Sequence, residues 1–331
     1  MSALTRRQFL QTTALAISGL AASPLLSACG SPAGSPVAPT PRTARPAVSP
    51  SPVSASAPAN PYPHLAVARH GEPDALVRRA LSALGGMQRF VPAGASVVIK
   101  PNICVAYHTY EYAATTNPWV VAALVRLSLE AGASSVRVMD FPFGGSPEEA
   151  YQRSGIAPEV IAAGGEMVAM PRLRFVPASL PQAVDLHEAR IFQDILDADV
   201  LINVPVAKHH SLARLTLGMK NLMGTILDRS ALHRNLGQRI ADLSGFLRPT
   251  LTVIDAVRIL TANGPTGGSL DDVQQLDTVI ASPDIVAADS YAAGLFGLQP
   301  SDLAYVQAGA AAGLGSSDLE NLKIEEIEVG G

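Results

Sequence analysis

Short apolar runs alternate with helical segments along most of the chain after residue 63. Residues 96–99 form an apolar run that is typical of a buried strand. Asn117 and Pro118 predict a helix start, because Asn caps helix N-termini and Pro favours the first helical position. This helix should end at Gly132, and residues 135–140 form the next strand. The strand, the helix and the second strand therefore predict a βαβ unit with parallel strands.

The same alternation continues towards the C-terminus. The further predicted elements are a helix over 146–153, strands over 199–204, 251–255 and 277–281, and a helix over 284–296. Strands that alternate with helices are typical of a mainly parallel sheet with helices on both faces. The predicted fold class is therefore α/β, built from βαβ units. One apolar series has heptad-like spacing and predicts the core face of a helix: Leu212, Leu215, Met219, Leu222 and Ile226.

The N-terminal residues follow a different pattern. Arg6 and Arg7 precede Phe-Leu, which is the signature of twin-arginine (Tat) export. The apolar stretch over 10–26 is too short and too polar for a transmembrane helix. It ends in Leu-Ser-Ala-Cys29, which resembles a lipoprotein signal-peptidase site. We therefore predict a Tat/lipoprotein signal peptide over 1–29, with lipid on Cys29. The alternative is an ordinary cleaved signal in which Cys29 is incidental.

The segment 30–63 is rich in Pro, Ala and Ser, and its only charged residues are Arg42 and Arg45. It cannot bury enough apolar surface to offset its ordering entropy, so it predicts a disordered tether. A linker between two domains is the alternative, but nothing upstream is long enough to fold. Residues 64–331 are then the folded domain, held by lipid at a membrane on the extracytoplasmic side.

The net charge and the cysteine content limit the classes of function that this chain can have. The net charge of −4 gives no electrostatic case for nucleic-acid binding. The chain has two cysteines, and a lipidated Cys29 cannot pair with Cys104. Cys104 is either a small buried apolar residue or a ligand or nucleophile, since nearby Lys100 would favour its thiolate.

Lysine is scarce in this chain, which has twenty arginines and four lysines. Lys100, Lys208 and Lys220 follow predicted strands, and ligands of open α/β sheets bind at the carboxyl ends of the strands. Lysine offers three donors and a tunable pKa, which suit a phosphate, a carboxylate or acid/base chemistry. A chance placement of surface lysines is the alternative. The predicted partner is an anionic small molecule.

The predicted cleft combines these lysines with other polar residues near strand ends. Its ligand-binding members are Lys100, Asn102, Lys208, Lys220 and Asn221, and its catalytic members are His210 and Asp255, either of which would transfer protons. Adjacent residues of a strand point to opposite sides, so only one of His209 and His210 can face the ligand. A metal site with His233, Asp255 or Cys104 is an alternative, but HExxH and CxxC spacings are absent and no metal is predicted.

Several motifs stand in a fixed order between residues 97 and 296. They are Ile99-Lys100-Pro101-Asn102, Lys208-His209-His210, Leu215 to Gly224, Asp255 with Gly264-Pro265 and Gly268, and Ser282-Pro283-Asp284 with Asp289. As a set they resemble the DUF362 family. The resemblance implies a shared α/β domain but no settled reaction. Some relatives carry ferredoxin-like cysteine clusters, and with two cysteines this chain cannot supply four ligands to an iron–sulfur cluster.

The leading hypothesis is an extracytoplasmic, enzyme-like domain that binds an anionic small molecule or cofactor. The family association is the only basis on which a redox role is suggested. The rival hypotheses are a lipid-anchored solute-binding protein without catalysis and a maturation factor for a membrane complex. The sequence identifies neither the cofactor nor the oligomeric state.

Overall fold

A computed structural model describes residues 60–330 of the chain. The predicted signal peptide, Cys29 and the tether as far as residue 59 lie outside the described residues. The last residues of the predicted tether contact the domain. Lys323 Nζ donates a hydrogen bond to the Pro61 carbonyl at 2.8 Å, and the Arg89 guanidinium lies 4.7 Å from the centre of the Tyr62 ring.

One large mixed sheet forms the centre of the domain. Its strands run in the order β12-β1-β11-β10-β7-β2-β3-β4, with β8 beside β10 and β9 beside β8. The strands are β1 (Leu65–Arg69), β2 (Ser96–Pro101), β3 (Ser135–Val138), β4 (Glu166–Met167), β7 (Val200–Val204), β8 (Val206–His210), β9 (Arg214–Thr216), β10 (Leu251–Leu260), β11 (Val273–Ser282) and β12 (Ile324–Glu328), while β5 (Phe175–Ser179) and β6 (Glu188–Phe192) form a separate hairpin. Pairing is parallel from β10 through β7, β2, β3 and β4, whereas β11 is antiparallel to both of its neighbours.

Helices cover both faces of this sheet. They are α1 (Pro73–Ala83), α2 (Pro118–Glu130), α3 (Pro147–Arg153), α4 (Ile156–Ala162), α5 (Gln193–Asp197), α6 (Gly218–Asn221), α7 (Leu236–Leu247), α8 (Ile285–Gly294) and α9 (Ala304–Ala311). Alternate strand residues enter two different cores. Val97 packs with α1 to α4 on one face, and Val98 packs with α7 to α9 on the other. This alternation is the period of two that a strand imposes. The predicted α/β class with helices on both faces is confirmed.

The predicted βαβ unit is confirmed in detail. Asn117 accepts a hydrogen bond from the Trp119 N–H and so caps α2, which begins at Pro118. Strands β2 and β3 pair in parallel. The helix predicted over 146–153 is α3, which Ser146 and Glu149 begin with a reciprocal capping box.

The heptad-like series is not one helix, so that prediction is wrong. Leu215 lies in β9, Met219 in α6, and Leu222 in a 3-10 segment over Leu222–Thr225. These residues do enter the core, but Leu212 is 67% exposed. Strand and helix backbones repeat at different intervals, so regular spacing across their junction has no common face. Among residues 60–330, no helix is long and apolar enough to cross a membrane.

Candidate functional site

A cleft of about 440 Å³ opens at the carboxyl edge of the parallel strands. Its lining residues come from the ends of β2, β3 and β8, from α6, and from the loops that follow them. The polar residues among them are Lys100, Asn102, Asp140, Lys208, His210, Ser211, Thr216, Lys220, Asn221, Arg229 and His233. Asp140 is the one acidic side chain among the described lining residues, so the cleft carries a net positive charge.

One end of the hydrogen-bond network beneath the cleft is built around Lys100, which is 1% exposed. Its Nζ donates to the Pro101 carbonyl at 2.8 Å and to Asn221 Oδ1 at 2.9 Å, and it pairs with Asp140 Oδ1 at 2.7 Å. These contacts use all three donors of the ammonium group. Burial lowers the pKa of Lys100, and the carboxylate of Asp140 opposes that effect. Lys100 is thus an internal anchor.

The close approach of Lys100 and Asp140 requires glycine at position 224. A Cβ atom at Gly224 would lie 2.1 Å from Asp140 Oδ1 and 2.7 Å from Lys100 Nζ. Asp140 also accepts a hydrogen bond from the Ile103 N–H through Oδ2 at 2.6 Å. The glycine of the motif over 215–224 is therefore explained by the space that a buried ion pair occupies.

The other end of the network is built around Lys208. Its Nζ donates to Asn102 Oδ1 at 2.9 Å and to the Ala114 carbonyl at 2.6 Å, and it lies 3.4 Å from Cys104 Sγ. Asn102 in turn donates to Asn221 Oδ1 at 2.9 Å. Hydrogen bonds therefore connect Lys208 to Lys100 without a break. We call Lys100, Asn102, Asp140, Lys208 and Asn221 the floor of the cleft.

Lys220 differs from the floor lysines. Lys220 is 8% exposed, and its Nζ lies 3.6 Å from the thioether sulfur of Met223. No oxygen of the described residues accepts from it. The pKa of Lys220 is lowered to about 7, chiefly by burial and in part by the positive charges of Lys208 and Arg229. A large fraction of Lys220 is therefore a neutral amine at neutral pH.

Arg229 stands beside Lys220 with part of its guanidinium unused. Nη2 donates to the carbonyls of Phe141 and Pro142, and the guanidinium carbon lies 4.8 Å from the centre of the Phe141 ring. No acceptor for Nη1 or Nε occurs among the residues that the structure describes. Burial lowers the pKa of Arg229, which nevertheless remains charged at any physiological pH.

His210 faces the cleft as predicted from strand alternation, while His209 faces away and accepts from the Gly264 N–H at 3.1 Å. His210 Nδ1 accepts from the N–H groups of Leu212 at 3.1 Å and Ala213 at 3.3 Å. The proton of the neutral ring therefore lies on Nε2. Burial lowers the pKa of His210 to about 3, and the neighbouring lysines contribute. His210 can donate a hydrogen bond but carries no charge near neutral pH. We call His210, Lys220 and Arg229 the wall.

Asp255 does not reach the cleft, in contrast to its prediction as a catalytic residue. It is 1% exposed, and its carboxylate accepts from the N–H groups of Asn117 at 2.6 Å and Val257 at 3.0 Å. Burial raises its pKa to about 6. The reason for the difference is that β10 continues to Leu260, so residue 255 lies inside the strand rather than at its end. Asp255 fixes the start of α2.

Asp289 has a comparable role for α6, the helix that carries Lys220. Its two oxygens accept from the N–H groups of Gly218 at 2.6 Å and Met219 at 2.9 Å. Burial raises the pKa of Asp289 to about 7. A Cβ atom at Gly218 would lie 2.7 Å from Asp289 Oδ1. Asp289 thus positions α6, and with it Lys220 and Asn221.

Three lining residues with a charged or imidazole side chain were not among the predicted site residues: Asp140, Arg229 and His233. Asp140 is the last residue of the strand predicted over 135–140 and could have been found by the rule that selected Lys100. Arg229 and His233 lie in a 3-10 segment over Arg229–Asn235, far from any strand end. Their arrival at the cleft depends on tertiary packing.

Cys104, whose role the sequence left open, is 6% exposed and lines the cleft next to Lys208. Within residues 60–330, no three His, Cys, Asp or Glu side chains are arranged to hold a metal ion.

Comparison with known proteins shows a family match and similarity to individual proteins. Residues 97–294 match the family described as a domain of unknown function, DUF362. A thylakoid-associated protein of Synechocystis sp. is 28% identical over 255 residues, which cover 74% of this chain and 77% of that protein.

The lactate racemase apoprotein of Thermoanaerobacterium thermosaccharolyticum is a structural match with a TM-score of 0.39 and 13% identity. The match covers 64% of this chain and 53% of the racemase, so this chain spans about half of that protein's length.

Proposed function

The chain belongs to the DUF362 family, as its motifs predict, and from that premise and the charge of the cleft we propose that it binds a small anionic molecule against the wall. The supporting observation is the imbalance of charge. The cleft is lined by four basic side chains, Lys100, Lys208, Lys220 and Arg229. Asp140 is the one acidic side chain in the lining among residues 60–330. Buried cations without counter-ions are costly, and an anionic ligand would relieve that cost.

The wall supplies the contacts for this anion. Lys220 has three donors and no oxygen acceptor among the described residues, and Arg229 has unused donors beside it. His210 adds a neutral Nε2–H donor. Preorganised donors in a partly enclosed site bind an anion more strongly than mobile surface lysines do.

Lys220 is also the proposed acid/base group of an enzymatic reaction. A catalytic acid or base works best when its pKa lies near the working pH, and the pKa of Lys220 is lowered to about 7. Neither His210, with its pKa near 3, nor Asp255, which is held against α2, meets this condition together with access to the cleft. The role first assigned to these two residues therefore passes to Lys220. A bound anion would raise the pKa of Lys220 and draw a proton onto it.

Sulfate tests this proposal, because it does not titrate between pH 6 and 9. Isothermal calorimetry at pH 8, in buffers with different ionisation enthalpies, should show sulfate binding with uptake of a fraction of a proton. Lys220→Met should abolish the uptake and weaken binding at least tenfold. Lys323→Met is the matched control, since this fourth lysine lies far from the cleft, against the Pro61 carbonyl. Unchanged binding by Lys220→Met would overturn the proposal.

We further propose that the chain is exported by the Tat pathway and held at a membrane surface by lipid on Cys29. Arg6, Arg7 and the Leu-Ser-Ala-Cys29 sequence support this proposal, and a relative is named as thylakoid-associated. In cells that express the full chain, an alkyne-tagged fatty acid should label the wild type. Cys29→Ser should lose both the label and the membrane fraction. Retention of the unlabelled variant in the membrane fraction would contradict the lipid anchor.

A further inference from the structure

The cleft has an unusual distribution of polarity from its interior to its mouth. Its most buried lining side chains are cationic, with Lys100 and Lys208 at 1% exposure and Lys220 at 8%. Two large apolar side chains of its lining are exposed, Phe143 at 57% and Leu212 at 67%, and the exposed imidazole of His233 lines the cleft as well. A pocket for a small polar metabolite needs no apolar mouth, because such a ligand has no apolar part to place there.

The apolar mouth comes from two separate loops. Phe143 lies in the loop after β3, where its N–H donates to the Cys104 carbonyl at 3.0 Å. Leu212 lies in the turn between β8 and β9, where its N–H donates to His210 Nδ1. Met223, Phe141 and Pro265 also line the cleft, where Met223 contacts Lys220 and the Phe141 ring lies against Arg229. The apolar surface therefore continues from the exposed loops towards the buried cations.

Arg229 connects the two regions. Its guanidinium carbon lies 4.8 Å from the centre of the Phe141 ring and 6.0 Å from the centre of the Phe143 ring. A guanidinium packed between aromatic rings presents its remaining donors along the plane of the group, beside an apolar surface. An anionic group held there would direct the rest of its molecule along the rings.

We propose that the ligand is an amphiphile, with an anionic head at Lys220 and Arg229 and an apolar chain or ring that leaves through the mouth between Phe143 and Leu212. This inference rests on the proposed anion-binding function and specifies the ligand class. A volume of about 440 Å³ accommodates a single small molecule of this kind. Exposed large apolar side chains that meet at one cleft are a recognised mark of a binding surface.

Octyl sulfate and inorganic sulfate test the inference, because they share a head group and differ in the chain. Both are titrated by calorimetry into the protein, with octyl sulfate kept below its critical micelle concentration. The inference predicts one octyl sulfate site that binds at least tenfold more tightly than sulfate, since each buried methylene contributes favourably. Phe143→Ser and Leu212→Ser should each reduce that advantage threefold or more, and Leu212→Ser, which does not touch Arg229, should leave sulfate binding unchanged.

Leu173→Ser is the matched control, since Leu173 is 95% exposed and lies outside the cleft. It should leave both affinities unchanged. Equal affinity for the two probes, or an octyl sulfate advantage that survives in both mouth variants, would overturn the amphiphile inference. In that case, sulfate binding that depends on Lys220 would leave the proposed function standing. Failure of sulfate itself to bind in a Lys220-dependent manner would overturn the proposed function.

Discussion

The floor and the wall of the cleft use the same types of side chain in opposite ways. In the floor, the Nζ atoms of Lys100 and Lys208 each contact three protein acceptors, which hold both side chains in place. In the wall, Lys220 contacts the thioether of Met223, and no oxygen atom of residues 60–330 accepts a hydrogen bond from it. A lysine at a strand end is thus not by itself a ligand-binding group. The number of donors that the protein leaves unused decides between an anchor and a binding residue.

The two regions also differ in what they should contribute to stability. Removal of one partner from a buried, hydrogen-bonded ion pair is strongly destabilising, because the other charge is left buried without compensation. A buried amine without an acceptor is destabilising while it is present and charged. Substitutions in the floor should therefore lower the free energy of unfolding, and removal of Lys220 should raise it.

The largest expected effect comes from removing half of the floor ion pair. Lys100→Met leaves Asp140 buried without its cation and should lower the free energy of unfolding by about 3–5 kcal/mol, measured by denaturant titration. The double variant Lys100→Met/Asp140→Asn should recover a substantial part of that loss, since it leaves no uncompensated charge. A loss below about 1 kcal/mol for Lys100→Met, smaller than a buried ion pair allows, would show that the floor is not the anchored network described.

Next in size is the effect of filling the space above the ion pair. Gly224→Ala places a methyl group against Asp140 and Lys100 and should cost about 1–3 kcal/mol through overpacking. Gly294→Ala is the matched control, because nothing lies within 4 Å of a Cβ atom there. Thermal unfolding of the two variants gives the comparison. Equal melting temperatures would contradict the close contact at position 224.

Removal of Lys220 from the wall should raise the free energy of unfolding, in contrast to substitutions in the floor. The pKa of Lys220 is lowered to about 7 from 10.5, so the unfolded chain binds more protons between these values. Stability therefore rises with pH across this window, and the full cost of the charged amine is present below pH 7. Lys220→Met should raise the free energy of unfolding at pH 6 by at most about 5 kcal/mol, which is the limit set by about 1.4 kcal/mol for each unit between 10.5 and about 7. The gain should shrink towards pH 10. A variant less stable than wild type at pH 6 would contradict this account.

The smallest effect concerns His210, which should remain neutral throughout the working range. Its pKa is lowered to about 3, chiefly by burial. The NMR resonances of its ring should therefore show no titration step between pH 5 and 8, with Nε2 protonated. A His210 titration step near pH 6.5 would mean that the wall is less buried than the structure indicates.

The sequence predicted the sheet and much of the floor because both follow local rules. Alternating apolar runs marked the strands, and the scarce lysines marked their carboxyl ends. The same rule misplaced Asp255, since an apolar run does not reveal that β10 continues five residues further. It could not find Arg229, which packing brings in from a loop. The strand-end rule also could not distinguish the binding residue Lys220 from the anchor Lys100, because the hydrogen-bond acceptors of Lys100 include residues that are distant in sequence.

The pKa of Lys220 is the quantity that tests the central claim most directly. With four lysines in the chain, the Cε resonances can be assigned by single Lys→Met variants and followed from pH 5 to 11. The account predicts a midpoint near 7 for Lys220 in the free protein and an upward shift when sulfate is added. A midpoint near 10.5 that sulfate does not change would contradict the claim that Lys220 is the buried, unpartnered amine of an anion-binding wall.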